Sequence, residues 1–265
     1  MTASLVIARR FCGPPGSGNG GYVCGRIAAH LDGNAEVTLR LPPPLETPMT
    51  VERAGAGSVR VLAGSSLVAE GTRLPDGPAM ELPEPVTVPE ARAAGARCRL
   101  RVFPGEHPFP SCFVCGPDRA PGDGLRILVG KVAGQDHRSA DVWYPDEQLA
   151  DARGYVRPEF VWAALDCSGG IGALADVALD GQPFVLGRMT VRQITPVKAG
   201  EPHVVVGWRL ACDGRKVAAG SAVFTADGQP EGIARATWIC LAPGSHQAAG
   251  TDVSGRAEGR STARP

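Results

Sequence analysis

The sequence predicts an α+β fold made of two similar units, in each of which one apolar helix is wrapped by antiparallel strands. Each half of the chain places paired glycines before an apolar helical stretch, and a strand reading VTLRLPPP or MTVRQITP follows. These strands align without a gap, setting Thr38 against Thr190, Arg40 against Arg192 and Pro44 against Pro196. The strands that close the two halves also match, VAEGT (68–72) against IARAT (233–237). A repeat of this length indicates two domains of the same kind.

The first unit is expected over residues 1–83 and contains one helix. Asn19 is a favoured N-cap residue, and apolar residues from Tyr22 to Leu31 follow at near-helical spacing, which predicts a helix over residues 19–31. Alternating apolar and polar residues predict five strands. They are expected over residues 5–10, 36–41, 49–53, 59–62 and 67–74.

A proline-rich connector is expected over residues 84–123, with a short helix over 88–96 and the motif CFVCG in a loop. The second unit is expected over residues 124–242. Pro158 suits the first turn of its helix, predicted over residues 158–179, because the missing N–H costs nothing there. Six strands are expected over residues 125–132, 139–144, 184–194, 203–210, 216–225 and 232–241.

The two predicted units can pair edge to edge into one continuous sheet, which covers both helices and removes two strand edges from water. The tail, residues 243–265, is small and polar. It is expected to be disordered, because so little apolar surface does not offset the loss of chain entropy.

Composition excludes several classes of partner. The 27 Lys and Arg residues equal the 27 Asp and Glu residues, so no overall field attracts nucleic acid or an anionic membrane. No run of about eighteen apolar residues is present, and the apolar run at the N-terminus is too short for a signal peptide. We therefore expect a cytoplasmic protein. We also expect its eight cysteines to be reduced thiols.

The glycine-rich segment 16–21 matches G-x-G-x-x-G between a predicted strand and a predicted helix. A dinucleotide site also needs a parallel second strand that ends in an acid, whereas the next strand here begins with Glu36 and runs into three prolines. The first-turn N–H groups of the helix are instead suited to the oxygen of a thioester. A glycine-rich turn capped by Asn19 is the simpler alternative.

Five segments resemble the hotdog superfamily of acyl-CoA thioesterases, and in particular its double-hotdog members. They are GPPGSGNGGYVCGRIA, CFVCGPDRAPGDGLRI, WAALDCSGGIGALADVAL, MTVRQITPVKAGEPHVVVGW and EGIARATWI. The resemblance implies a double hotdog, in which a helix N-terminal N–H binds the thioester oxygen. A carboxylate from the other hotdog acts as nucleophile or activates water. The sequence departs from the simplest members, since Asn19-Gly20-Gly21 stands where they carry His-Gly-Gly.

By the same resemblance, Asp166 looks like the essential Asp of thioesterase II, acting as general base or nucleophile. Its alternative is a structural bond to a backbone N–H near a helix break. Asn19, with Gly20 and Gly21, is expected to face Asp166 and to bind the oxyanion or position water. The candidates for weaker roles are Thr190 and Ser168, as assisting hydroxyls, and Gly169 and Gly170, as substrate-binding glycines.

The cysteine motif Cys112-x-x-Cys115-Gly supplies only half of a zinc site, because four ligands are needed and no second pair appears at finger spacing. A structural turn is the favoured interpretation. Cys167 has no adjacent histidine to activate it, so packing is expected. The sequence therefore predicts no metal and no cofactor.

These observations predict hydrolysis of an acyl thioester, delivered by CoA or by a carrier protein. The alternative is a non-catalytic double hotdog that binds an acyl group or another hydrophobic ligand. An enoyl hydratase is disfavoured, because no Asp and His share one helical segment on one face. No nucleic-acid or membrane partner is expected, and the sequence leaves association into a homodimer open.

Overall fold

The computed structural model of the protein describes residues 2–174 and 182–241. The end of the helix predicted over 158–179 and the tail predicted to be disordered lie outside these residues. Within the described residues, eleven antiparallel strands form one sheet, in the order β1-β3-β4-β5-β2-β8-β11-β10-β9-β7-β6. The strands are β1 Ala3–Leu5, β2 Ala35–Leu39, β3 Met49–Arg53, β4 Ser58–Ala63, β5 Ser66–Arg73, β6 Gly130–Val132, β7 Gln135–Trp143, β8 Phe184–Gln193, β9 His203–Asp213, β10 Lys216–Thr225 and β11 Pro230–Cys240.

One helix from each unit lies against this sheet, and these two helices also contact each other. The helices are α1 Gly20–Ala28, α2 Val88–Ala96, α3 Arg99–Val102 and α4 Pro158–Leu174. The predicted bounds of α2 are confirmed, and Thr87 and Glu90 form a capping box at its start. None of the described helices is long and apolar enough to cross a membrane.

Strands β2 and β8 join the two units at the centre of the sheet. The alignment that sets Thr38 against Thr190 also sets Val37 against Met189, and these two residues pair directly across the junction. Thr38 pairs with Arg188 on one side of that point, and Glu36 pairs with Thr190 on the other. The junction is therefore a pseudo-two-fold axis, and the α+β architecture of two units sharing one continuous sheet is confirmed.

Two predicted strands are shorter in the structure by three residues or more. The strand predicted over 5–10 ends at Leu5, because Arg9–Phe11 forms a 3₁₀ turn. The strand predicted over 125–132 is reduced to β6, because the chain before it bonds to the cysteine loop instead of a neighbouring strand. The N–H of Leu125 donates to the carbonyl of Phe113 at 2.9 Å, and that of Ile127 donates to Val114 at 2.9 Å.

Candidate active site

The N-terminal end of α1 meets the middle of α4, and glycine makes this approach close. A Cβ at Gly21 would lie 2.3 Å from the Cβ of Asp166 and 2.6 Å from the carbonyl oxygen of Trp162. One turn later, a Cβ at Gly25 would lie 2.6 Å from the Cα of Glu159. The two glycines share one face of α1 because they are four residues apart. We call this contact, Gly21 and Gly25 against Glu159, Trp162 and Asp166, the helix seam.

Asp166 is buried in the middle of α4, with 1% of its surface exposed. Its Oδ2 accepts a hydrogen bond from the Gly21 N–H at 2.8 Å and another from Asn19 Nδ2 at 3.2 Å. Its Oδ1 has no hydrogen-bond partner among the described residues. Burial raises the pKa of this carboxyl to about 7, and the two hydrogen bonds act in the opposite direction. Asp166 thus bonds the helix of the other unit, and α4 continues past it without a break.

Asn19, the residue before α1, both caps this helix and contacts Asp166. Its Oδ1 caps α1 by accepting the Tyr22 N–H at 2.9 Å, which fixes the side chain and leaves its Nδ2 as a donor. That nitrogen lies 3.2 Å from Asp166 Oδ2, 3.7 Å from Cys167 Sγ and 3.8 Å from Cys112 Sγ. Asn19 is itself 3% exposed, so one buried amide serves the cap, the carboxylate and two thiols.

The first amide of α1 is free. The Gly21 N–H is taken by Asp166, but no acceptor among the described residues is bonded to the Gly20 N–H. The first N–H groups of a helix point out of its positive end and have no intrahelical acceptors. The Gly20 N–H is therefore the donor that this helix end offers to a bound oxygen.

A cavity of about 370 Å³ opens beside Asn19, Gly20 and Asp166. Its walls come from the loop before α1, the end of β2, the connector, α4, β8 and β11. Most of the lining is apolar, which is typical of sites for small organic ligands. The larger apolar side chains in the lining are Leu39, Leu41, Leu100, Phe109, Ile171, Phe184, Leu186, Trp238, Ile239 and Leu241.

The structure places the two predicted hydroxyl groups elsewhere. Ser168 donates its hydroxyl to the carbonyl of Ala164, one turn back in the same helix, at 2.7 Å. Thr190 donates its hydroxyl to Glu36 at 2.9 Å across the β2–β8 junction. Neither residue lines the cavity described above.

Gly170 lets the sheet pack closely on α4, but Gly169 is not needed for this packing. A Cβ at Gly170 would lie 2.5 Å from the ring of Trp238, whereas one at Gly169 would make ordinary contact with Ser221 at 3.4 Å. These two glycines are not part of the cavity lining, although Trp238 is. The structure thus brings together Asn19, Gly20, Gly21 and Asp166, but not the second pair of glycines.

Sequence reasoning missed a cluster of three thiols at the cavity wall. Cys115 Sγ lies 3.5 Å from Cys167 Sγ, and Cys112 Sγ lies 3.9 Å from it. All three sulfur atoms lie within 4.8 Å of one another, and all three residues line the cavity. The spacing of Cys112 and Cys115 marks them as a pair in the sequence, but Cys167 lies on α4, far along the chain. The one sequence signal that placed Cys167 near the site was its position next to Asp166.

A buried ion pair was also missed, because nothing in the spacing of His203 indicated a partner. Its Nδ1 lies 2.6 Å from Glu231 Oε2, and its Nε2 lies 2.8 Å from the carbonyl oxygen of Lys198. Burial lowers the pKa of His203, but the hydrogen bond and charge of Glu231 outweigh this effect and raise it. These residues lie at the start of β9 and of β11 and do not line the cavity.

Comparison with solved structures finds similar folds along most of the chain. Acyl-CoA thioesterase II TesB2 from Mycobacterium marinum has a TM-score of 0.59 at 11% identity, over 92% of this chain and 94% of its own. The dehydratase domain of a mycocerosic acid synthase-like polyketide synthase has a TM-score of 0.62 at 13% identity, over 91% and 90%. A hotdog-fold protein of unknown function from Alicyclobacillus acidocaldarius gives 0.53 at 12% identity, over 91% and 94%.

Likeness at such low identity shows the fold, and the prediction of an α+β double hotdog is confirmed. No protein-family model and no curated protein matches the chain.

Proposed function

We propose that this protein hydrolyses an acyl thioester, with Asp166 as its catalytic base. The observation that carries the proposal is the position of the Asp166 carboxylate at the helix seam. Two donors of the other unit, the Gly21 N–H and the Asn19 amide, hold one of its oxygens at 2.8 and 3.2 Å. The other oxygen, Oδ1, is buried and has no partner among the described residues, and we assign it to the attacking water.

The apolar lining of the cavity supports an acyl group as the ligand. An acyl chain in the cavity would place its thioester carbonyl at the positive end of α1. There the Gly20 N–H donates to the carbonyl oxygen, and the same donor stabilises the oxyanion that forms in the transition state. The thiol part of the substrate, CoA or the arm of a carrier protein, leaves through the open side of the cavity.

The chemistry needs only these groups and one water. Asp166 takes a proton from the water as its oxygen attacks the thioester carbon, and a tetrahedral oxyanion forms against the Gly20 N–H. When the oxyanion collapses, the carbon–sulfur bond breaks, and Asp166 returns the proton to the departing thiolate. The products are a carboxylic acid and a free thiol. The similarity in fold to an acyl-CoA thioesterase II supports this reaction class.

The test is Asp166→Asn, assayed against acyl-CoAs of graded chain length. General base catalysis contributes a factor of about 10² to 10⁴, so kcat/KM should fall by about a hundredfold or more. The amide keeps the shape of the carboxyl, and its Oδ can still accept the Gly21 N–H. Circular dichroism and thermal unfolding should show that the variant is folded.

The control is Asp32→Asn, which removes an exposed carboxylate of the same unit as α1 and should leave kcat/KM unchanged. An Asp166→Asn variant with the wild-type rate would remove Asp166 from the mechanism. Wild-type protein that binds acyl-CoA tightly without turning it over would overturn hydrolysis, and would support a ligand-binding protein instead.

A further inference from the structure

The three thiols of the cavity wall converge from two separate elements. Cys112 and Cys115 come from a turn of the connector, and Cys167 comes from α4. All three are buried, with at most 6% of their surface exposed, and all are free thiols. Packing alone does not explain why three cysteines meet at this wall, since a free cysteine packs like any small apolar residue.

The spacing of the sulfur atoms fits one metal ion. Zinc–thiolate bonds are about 2.3 Å long, and two thiolates of a tetrahedral zinc site are therefore about 3.8 Å apart. The measured separations from Cys167 Sγ are 3.5 Å to Cys115 and 3.9 Å to Cys112. The third separation, between Cys112 and Cys115, is at most 4.8 Å, so the three sulfur atoms are close enough together to bind one ion.

Neighbouring groups hold the cysteine turn and its sulfur atoms in position. Gly116 closes the turn tightly, since a Cβ there would lie 2.5 Å from the carbonyl oxygens of Cys112 and Pro110. The backbone N–H groups of Cys115 and Val114 donate hydrogen bonds to Cys112. The amide of Asn19 also points at two of the sulfur atoms, at 3.7 and 3.8 Å. Such donors around the ligands are typical of metal sites.

No fourth protein ligand joins the group within the part of the chain that the structure describes. His107 lines the same cavity, but its Nδ1 accepts the N–H of Phe109 at 3.0 Å. A neutral imidazole that accepts at Nδ1 carries its proton on Nε2 and has no lone pair left there for a metal. The fourth position would therefore face the cavity and hold a water, as in zinc sites with three protein ligands.

We propose that Cys112, Cys115 and Cys167 bind one zinc ion, whose fourth coordination position opens into the cavity. On binding, three zinc–sulfur bonds form and the three thiols release three protons to solvent. Zn²⁺ offsets two of the three thiolate charges, and the Asn19 amide and the backbone N–H groups stabilise the third. Soft thiolate ligands in this geometry select zinc over hard cations such as magnesium.

The experiment measures metal rather than activity, so its result is independent of the proposed hydrolysis. Protein expressed with added zinc and purified under reducing conditions should contain about one zinc per chain by elemental analysis. Cys167→Ser and Cys115→Ser should each lower this content by at least tenfold. Cys98→Ser, which removes a buried thiol outside the cluster, should leave it unchanged.

Cobalt binding by the wild-type chain is a second test, which does not depend on whether the cysteine variants fold. Apoprotein titrated with Co²⁺ should show sulfur-to-cobalt charge-transfer bands and the intense visible bands of tetrahedral cobalt, saturating at one ion per chain. Wild-type protein that takes up neither zinc nor cobalt while its thiols are reduced would overturn the proposal. So would a Cys167→Ser variant that folds and binds zinc as the wild type does.

Discussion

Replacing Gly21 by alanine tests the helix seam directly. The new Cβ would lie 2.3 Å from Asp166 Cβ and 2.6 Å from the carbonyl oxygen of Trp162. Ordinary contacts between such atoms are about 3.5 Å or longer, so α1 and α4 must separate by about 1 Å. The 2.8 Å hydrogen bond from the Gly21 N–H to Asp166 would then exceed the usual range of such bonds.

Two costs add in this variant. Overpacking a close contact costs about 1–3 kcal/mol, and losing a hydrogen bond to a charged acceptor costs about 1.5–3 kcal/mol. The better helix propensity of alanine offsets at most about 1 kcal/mol. We expect a net loss of about 2–4 kcal/mol in the free energy of unfolding, or about 5–10 °C in Tm for a chain of this size. Misplacing Asp166 by about 1 Å should lower kcat/KM by about a hundredfold.

The assay pairs thermal unfolding with acyl-CoA hydrolysis on the same preparations. Gly105→Ala is the control, because a Cβ at Gly105 meets nothing within 4 Å, and this variant should match wild type in both measurements. A Gly21→Ala protein with wild-type Tm and wild-type kcat/KM would show that the two helices do not approach each other as described.

Two further substitutions test other contacts of the structure. Asn19→Ala removes the cap on the Tyr22 N–H and one donor to Asp166, so thermal unfolding should show a loss of about 1 kcal/mol and kinetics a fall of about tenfold in kcat/KM. An unchanged rate would leave Asn19 a cap only. The raised pKa of His203 stabilises the fold at low pH, and this stability is lost as pH rises through the folded-state pKa. Glu231→Gln should flatten the decline that urea unfolding shows as pH rises above about 6.5, the ordinary pKa of histidine, and a variant that keeps the wild-type slope would refute the assignment.

The sequence predicted those features that depend on local pattern or on the repeat. The cap at Asn19 and the paired glycines located the start of α1 to within one residue. The sequence predicted that the two units pair edge to edge, and in the structure the equivalent positions Val37 and Met189 of the gap-free alignment pair with each other. Repeats carry such information, since a symmetry axis through a strand pair must pair equivalent residues.

Contacts that depend on the packing of distant elements could not be predicted in this way. Cys167 reaches the cysteine turn only because the chain between them builds β6 and β7 and then enters α4. His203 and Glu231 meet across β10, and the pairings on both sides of β10 contain register shifts. A shift of one residue turns a side chain to the other face of a sheet, so spacing alone indicated no partner.

The helix seam brings the Asp166 carboxylate of the second unit against N–H donors of the first. At one end of the seam, the first turn of α1 donates the Gly21 N–H to Asp166. At the other end, the first turn of α4 faces Gly25, which offers no side chain, and Pro158 there has no N–H to donate. A duplicated fold presents two such helix ends, but only the N-terminus of α1 meets a carboxylate in the described residues. We therefore expect the duplication to supply one reactive site per chain, with the first unit giving the amides and the second giving the acid.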